Sequence, residues 1–269
     1  MEFSQAIILA LIQGVTEFLP VSSSAHLIII PTLMGWADQG VVFDIAVHIG
    51  TLGAVMLYFR HDVARLFKAC GDILEGHFKT ENVRLFTTIT IATLPIIGAG
   101  LLFASFIETF ARAIPVLAFT SIAFGLLLYK ADKHPVTKSV HILPNLKEAA
   151  IFGIFQAIAI IPGVSRSGIC VTAGRLMGFS RNTSGAFASL MAMPTILIAG
   201  LYSLTKINQN NTLNWASDAN ILLVATFTAF LCGLAGIHLL MTWLARVGYW
   251  PFVVYRIALG FGLLLFMLF

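Results

Sequence analysis

The chain has 269 residues, of which 58% are hydrophobic and only 10% charged, and its formal net charge is +4. A soluble domain carries about 25% charged residues, so this composition excludes a soluble globular protein and identifies an integral membrane protein. The basic excess is read as cytoplasmic loop charge rather than as a nucleic-acid surface.

In chain order, MEFSQAIILALIQG at the start lacks a basic n-region and a small-residue cleavage site, so no cleavable signal is expected. Residues 3–34 are apolar but broken at Pro20 and Ser22-Ser23-Ser24, which predicts two short helices meeting at a polar turn. A span needs about 20 apolar residues, and 43–59, 86–106 and 114–129 follow as the first three. Residues 148–179 are again apolar and broken, at Pro162-Gly163 and Ser165-Arg166-Ser167-Gly168. The remaining spans are 185–205, 220–244 and 249–269. Broken backbone at membrane depth is tolerated only where protein buries it or water reaches it, so both broken stretches are expected to be re-entrant hairpins.

Loop charge sets the expected orientation. The 60–84 loop holds Arg60, Arg65, Lys68, Lys79 and Arg84, and the 130–147 loop holds Lys130, Lys133, Lys138 and Lys147. Together they hold nine of the 16 Lys and Arg residues, which makes both loops cytoplasmic. The 206–219 loop, with one Lys, faces outward; Arg246 then falls inside and Phe269 outside. The first hairpin opens outward. The second, whose exit carries Arg175 and Arg181, opens inward.

The two polar clusters match without a gap at an offset of 143, from Gln13 to Gln156, with Val21 on Val164, Ser22 on Ser165 and Ser24 on Ser167. At an offset of 144, Phe43 pairs with Phe187, Thr51 with Thr195, and Leu57-Tyr58 with Leu201-Tyr202. Three spans after each hairpin turn the second half upside down relative to the first. The expected fold is therefore an all-α polytopic membrane protein with an inverted-topology repeat, each half a re-entrant helical hairpin plus three transmembrane helices. One membrane domain covers 1–269: repeat 1 over about 1–130, a cytoplasmic linker over about 130–147, and repeat 2 over about 148–269.

Polar residues at membrane depth are costly and mark function. The first turn offers Glu17, Ser22, Ser23, Ser24 and His26; the second offers Ser165, Arg166 and Ser167. Helix starts after the serines add N–H donors and a positive dipole end, and Arg166 adds a planar fork suited to phosphate. The set suits an anion such as a phosphate or diphosphate, and a serine beside His or Glu is a candidate nucleophile. Asp44 and His48, one turn apart, either support the site or form a local helix pair. Arg256 either partners a buried carboxylate or snorkels to an interface. Cys70, Cys170 and Cys232 have no pairing or metal spacing and are read as apolar fillers. His61, His77, His134 and His141 are read as solvated surface. A lipid-phosphate transporter or flippase is the rival to an enzyme, because broken helices in inverted repeats also build transporters. An intramembrane serine protease fits poorly, since no Gly-x-Ser-Gly is present.

At these residues the chain resembles the undecaprenyl-diphosphate phosphatases of the BacA/UppP family. The first family motif reads here as Gln13, Glu17, Pro20-Val21-Ser22-Ser23 and His26, and the second as Pro162-Gly163-Val164-Ser165-Arg166-Ser167-Gly168. The resemblance covers almost the full length, including Tyr255-Arg256. It implies hydrolysis of undecaprenyl diphosphate to the monophosphate carrier lipid and inorganic phosphate, a part in peptidoglycan synthesis, and bacitracin resistance. It also implies the bacterial inner membrane, a site opening to the outer face, and help from a divalent cation, Mg²⁺ or Ca²⁺. The partners expected are the polyprenyl diphosphate lipid and the bilayer, with no nucleic acid and a homodimer as the candidate assembly.

Under this resemblance Ser23 is the expected nucleophile. Arg166, Gln13, Ser22, Ser24, Ser165, Ser167 and Gly168 surround the diphosphate. Glu17 takes the serine proton or binds the cation, and His26 protonates the leaving oxygen or activates water. Two departures stand out. Gln13 leaves Glu17 as the sole carboxylate of its motif, and Cys170 replaces a Thr thought to assist phosphate binding.

Overall fold

The computed structural model describes residues 1–110, 113–138, 142–210 and 215–268, and the side chains of these apart from 104–110, 206–210, 215–218 and 244–246. The side chains of Lys206 and Arg246, and all of His141 and Phe269, lie outside the described residues. Every regular element described is helical.

The first broken stretch forms α1 (Phe3–Thr16) and α2 (Ser23–Met34), and the second forms α7 (Leu146–Ile158) and α8 (Arg166–Leu176). Between them run α3 (Gly40–Tyr58), α4 (Arg60–Leu74), α5 (Glu81–Phe110) and α6 (Ile114–Asp132). After them come α9 (Arg181–Asn210), α10 (Trp215–Val247) and α11 (Trp250–Phe266). Helices α3, α5, α6, α9 and α10 each contain a segment long and apolar enough to cross a bilayer. The sixth expected span, 249–269, is shorter in the structure: α11 has 17 residues.

The 60–84 segment is not a simple loop. It carries α4, whose Val63 and Leu66 pack on the core while Arg60, Phe67, Lys68 and Leu74 stay exposed. Its charges had set the orientation, and its helical period lay beneath them. At the start of α7, Asn145 accepts from the Glu148 amide at 3.0 Å, and Glu148 accepts from the Asn145 amide at 2.8 Å. This reciprocal cap fixes where the second hairpin begins.

The packing of the two hairpins is reciprocal. Helix α1 lies on α10 of the other half, and α7 lies on α5. Both contacts need a glycine. A Cβ at Gly14 would stand 2.5 Å from the Cys232 Cβ, and one at Gly153 would stand 2.8 Å from the Ala92 carbonyl. Such close backbone approach is how helices associate where the surrounding solvent is lipid. Leu102, Phe119, Leu223 and Phe227 remain exposed on the outer faces, an apolar surface suited to hydrocarbon.

Apolar residues flank each turn and anchor it. Phe18, Leu19 and Val21 of the first turn and Val164 of the second enter one buried cluster with Phe152, Phe179 and Phe187. Away from the turns, Asp132 at the end of α6 holds the start of α9 through a forked pair with Arg181, at 2.7 and 2.9 Å. Arg175 donates to the carbonyls of Asp132, His134 and Phe179. The arginines read as an inward-facing exit thus tie helix ends together.

Candidate active site

The two turns share one backbone device. Among the described residues, Ser22 (φ 72°) and Ser165 (φ 70°) are the only non-glycine residues with positive φ. They stand at the same position of the 143-residue offset. Holding a non-glycine residue in this region costs roughly 1–3 kcal/mol and persists only where the surroundings enforce it. In each turn the strained serine faces the one two residues on: Ser22 Oγ to Ser24 Oγ at 3.3 Å, and Ser165 Oγ to Ser167 Oγ at 3.2 Å.

Arg256 supplies the enforcement. It is 1% exposed, yet neither a carboxylate nor an interface receives its charge, which corrects both sequence readings. Nη1 donates to the carbonyls of Val164 (2.9 Å) and Pro20 (3.3 Å). Nη2 donates to Gly163 (2.9 Å) and Thr120 (3.2 Å), and Nε to Ser121 (3.3 Å). The five N–H donors of a guanidinium thus close on carbonyls of both turns and of α6. Ser167 Oγ adds a second link, donating to the Leu19 carbonyl at 2.8 Å.

So held, the turns bring Glu17 and Arg166 together. Arg166 Nη2 donates to Glu17 Oε1 at 2.7 Å, while Glu17 Oε2 accepts from Ser23 Oγ at 2.6 Å and from Gln13 Nε2 at 2.9 Å. His48 Nε2 stands 3.8 Å from the same oxygen, and its Nδ1 lies 2.6 Å from the Asp44 carbonyl. The Asp44–His48 contact is therefore to backbone, which leaves the His48 ring aimed at Glu17. Sequence spacing had left these two options open.

His26 is near but differently engaged. Its Nδ1 lies 2.7 Å from the Ser22 carbonyl and its Nε2 2.5 Å from the Tyr255 hydroxyl. The carboxylate that touches Ser23 is Glu17; His26 makes no hydrogen bond to Ser23. Tyr255, beside Arg256 on α11, carried no reading of its own in the sequence, because its partner His26 lies 229 positions away.

Ser24 is exposed. The Gly168 amide donates to Ser165 Oγ at 3.2 Å, so Ser165 caps the start of α8. Cys170 is fully buried, and its Sγ lies 3.9 Å from Gln156 Oε1. Thr172 donates to the Gly168 carbonyl at 2.8 Å. Gln156, 143 positions after Gln13, donates to the Ala92 carbonyl at 3.1 Å and joins α7 to α5.

Two buried polar atoms here have no hydrogen-bond partner: Arg166 Nη1 and Gln13 Oε1. Each sits on a side chain that grips Glu17 by its other end. No group of three or more His, Cys, Asp or Glu side chains suited to a metal occurs among the described residues. The oxygen donors at hand for a hard cation are Glu17 and that Gln13 oxygen.

The arrangement offers a hydroxyl paired with a carboxylate, a forked cation with one free arm, and two helix starts. These are the parts of a phosphoryl-transfer site. Comparison with known proteins agrees. The chain is 44% identical over 264 residues to a Saccharophagus degradans protein named undecaprenyl-diphosphatase, covering 98% of this chain and 97% of that one. Proteins of the same name from Hahella chejuensis and Campylobacter concisus are each 42% identical, covering 99% and 98% of this chain. The family described as bacitracin resistance protein BacA matches residues 6–262; the chain belongs to that family.

Proposed function

We propose that this chain is an undecaprenyl-diphosphate phosphatase, hydrolysing undecaprenyl diphosphate to undecaprenyl phosphate and inorganic phosphate. The observation that carries the reading is the Ser23–Glu17 hydrogen bond of 2.6 Å beside the Arg166–Glu17 pair of 2.7 Å, one partner from each turn. Relatives across the full length carry the diphosphatase name. A serine–carboxylate pair serves bond cleavage, and a carrier has no need of it, so the transporter reading is not taken further.

The mechanism follows from the contacts. Glu17 accepts the Ser23 proton as Oγ attacks the terminal phosphorus. The bond from phosphorus to the bridging oxygen breaks, and the lipid monophosphate leaves with that electron pair. Arg166 Nη1, free of protein partners, turns to the equatorial oxygens of the transferred group, where transition-state charge collects. Water then cleaves the phosphoserine. Glu17 and Gln13 Oε1 are the protein oxygens that would hold a divalent cation here. When bound, it would neutralise the charge of the diphosphate.

The same reading places the chain in the bacterial inner membrane with the site opening to the outer face, as the loop charges support. It treats the halves as an inverted-topology repeat, which the matched serine strain and reciprocal hairpin packing support. The isoprenoid tail lies along the apolar outer faces. The test is phosphate release from undecaprenyl diphosphate by pure protein in detergent, with and without EDTA. Release without any gradient is expected, and no release under either condition overturns the reading.

A further inference from the structure

The His26 contacts fix the tautomer of that ring. The Ser22 carbonyl is an acceptor only, so Nδ1, 2.7 Å away, carries the hydrogen. A neutral imidazole has one N–H, so Nε2 holds a lone pair and the Tyr255 hydroxyl donates to it at 2.5 Å. The rings stack, 5.7 Å between centroids and 11° between planes. His26 is 7% exposed and Tyr255 44%. The one basic nitrogen of His26 therefore meets its surroundings through the phenol.

We propose that Tyr255 is a catalytic residue of the second half of the reaction, a proton relay to His26. It holds His26 in the Nδ1–H tautomer, and its hydroxyl is the route by which Nε2 takes a proton. This rests on the reading that Ser23 becomes phosphorylated. As water attacks the phosphoserine phosphorus, a water proton passes to the Tyr255 oxygen while the tyrosine proton passes to Nε2. The bond from phosphorus to Ser23 Oγ breaks, and Oγ regains its proton from Glu17. His26 then returns its extra proton to solvent. Helix α11 thus serves the site twice: Arg256 clamps the turns, and Tyr255 sets the base. The arrangement also divides the labour, Glu17 acting on Ser23 and His26 on water.

Tyr255→Phe removes the hydroxyl and keeps the stacked ring. With pure protein and undecaprenyl diphosphate labelled on the terminal phosphate, turnover is expected to fall on the order of 10²-fold with KM falling in proportion, so that kcat/KM holds within about twofold. Phosphate should accumulate covalently on the protein, and Ser23→Ala in the same background should abolish that label. Reduced turnover without label, or wild-type turnover, overturns the proposal. If Ser23→Ala itself turns over normally, the covalent reading beneath it has failed instead. A measurement independent of activity uses ¹⁵N-histidine spectra of the wild-type protein, with the His26 signal assigned by its loss in His26→Gln. A protonated Nδ1 and bare Nε2 are expected; a protonated Nε2 in the neutral ring overturns the proposal even if Tyr255→Phe does not fold.

Discussion

Arg166 and Glu17 stand 149 positions apart in the chain and meet as an ion pair at 2.7 Å, with their side chains 13% and 5% exposed. The pair closes the site across the two turns. It also leaves one arm of each Glu17-gripping side chain, Arg166 Nη1 and Gln13 Oε1, without a protein partner.

Removing the charge of Glu17 should therefore hurt chemistry more than assembly. In Glu17→Gln the amide still fills the space, but Ser23 loses its proton acceptor and Arg166 its counter-ion. We expect kcat to fall on the order of 10²–10⁴-fold. Arg166→Lys keeps a charge but loses the fork, and a fall on the order of 10²-fold is expected. Steady-state phosphate release checks both, and a change under threefold in either contradicts the assigned contacts.

Arg256 makes a different prediction, because it touches backbone only. Arg256→Lys leaves at most three donors for five carbonyls, and an unsatisfied buried acceptor costs roughly 1–3 kcal/mol. A drop of several degrees in the melting temperature in detergent is expected, with loss of activity following the loss of turn geometry. An unchanged melting temperature would show that the carbonyl clamp contributes little.

Cys170→Thr restores the residue common in the resembled family. Cys170 is buried, with its Sγ against Gln156 Oε1. A Thr hydroxyl there meets the same Gln156 oxygen, so turnover within about threefold of wild type is expected. A large gain in substrate affinity would mean that this position reaches phosphate after all.

Outside the spans, Asp72 accepts from Thr80 Oγ1 at 2.6 Å and Asn82 Nδ2 at 3.1 Å, at the entry to α5. The Thr80 hydrogen bond, then the Asn82 one, holds its carboxyl below the usual carboxylate range. A depressed carboxyl contributes local order that is full above its unfolded value and is lost as pH falls through the folded one. Protection of the amides at the start of α5, taken relative to their intrinsic exchange rates, should therefore fall once pH drops below about 4, and Asp72→Asn should abolish that change in protection.

Much of this site was legible in the sequence, for a physical reason. Glu17 and Arg166 cannot sit cheaply in apolar stretches, so they announce themselves. The 143-residue offset pairs Ser22 with Ser165, and those two residues carry the matched backbone strain. Other features were hidden. The Arg256 clamp is built on carbonyls, which every residue has and no sequence pattern marks. The Tyr255–His26 bond spans 229 positions and joins two ordinary side chains. Helix α4 was concealed because its charges read as loop, and α11 ends at Phe266, short of the apolar sequence that continues past it.

Whether Ser23 is the nucleophile is tested most directly by phosphate release from undecaprenyl diphosphate by purified Ser23→Ala. Release at background is expected, a loss on the order of 10³-fold or more, with an unchanged melting temperature. Retention of a tenth or more of wild-type turnover by a folded Ser23→Ala would contradict that role.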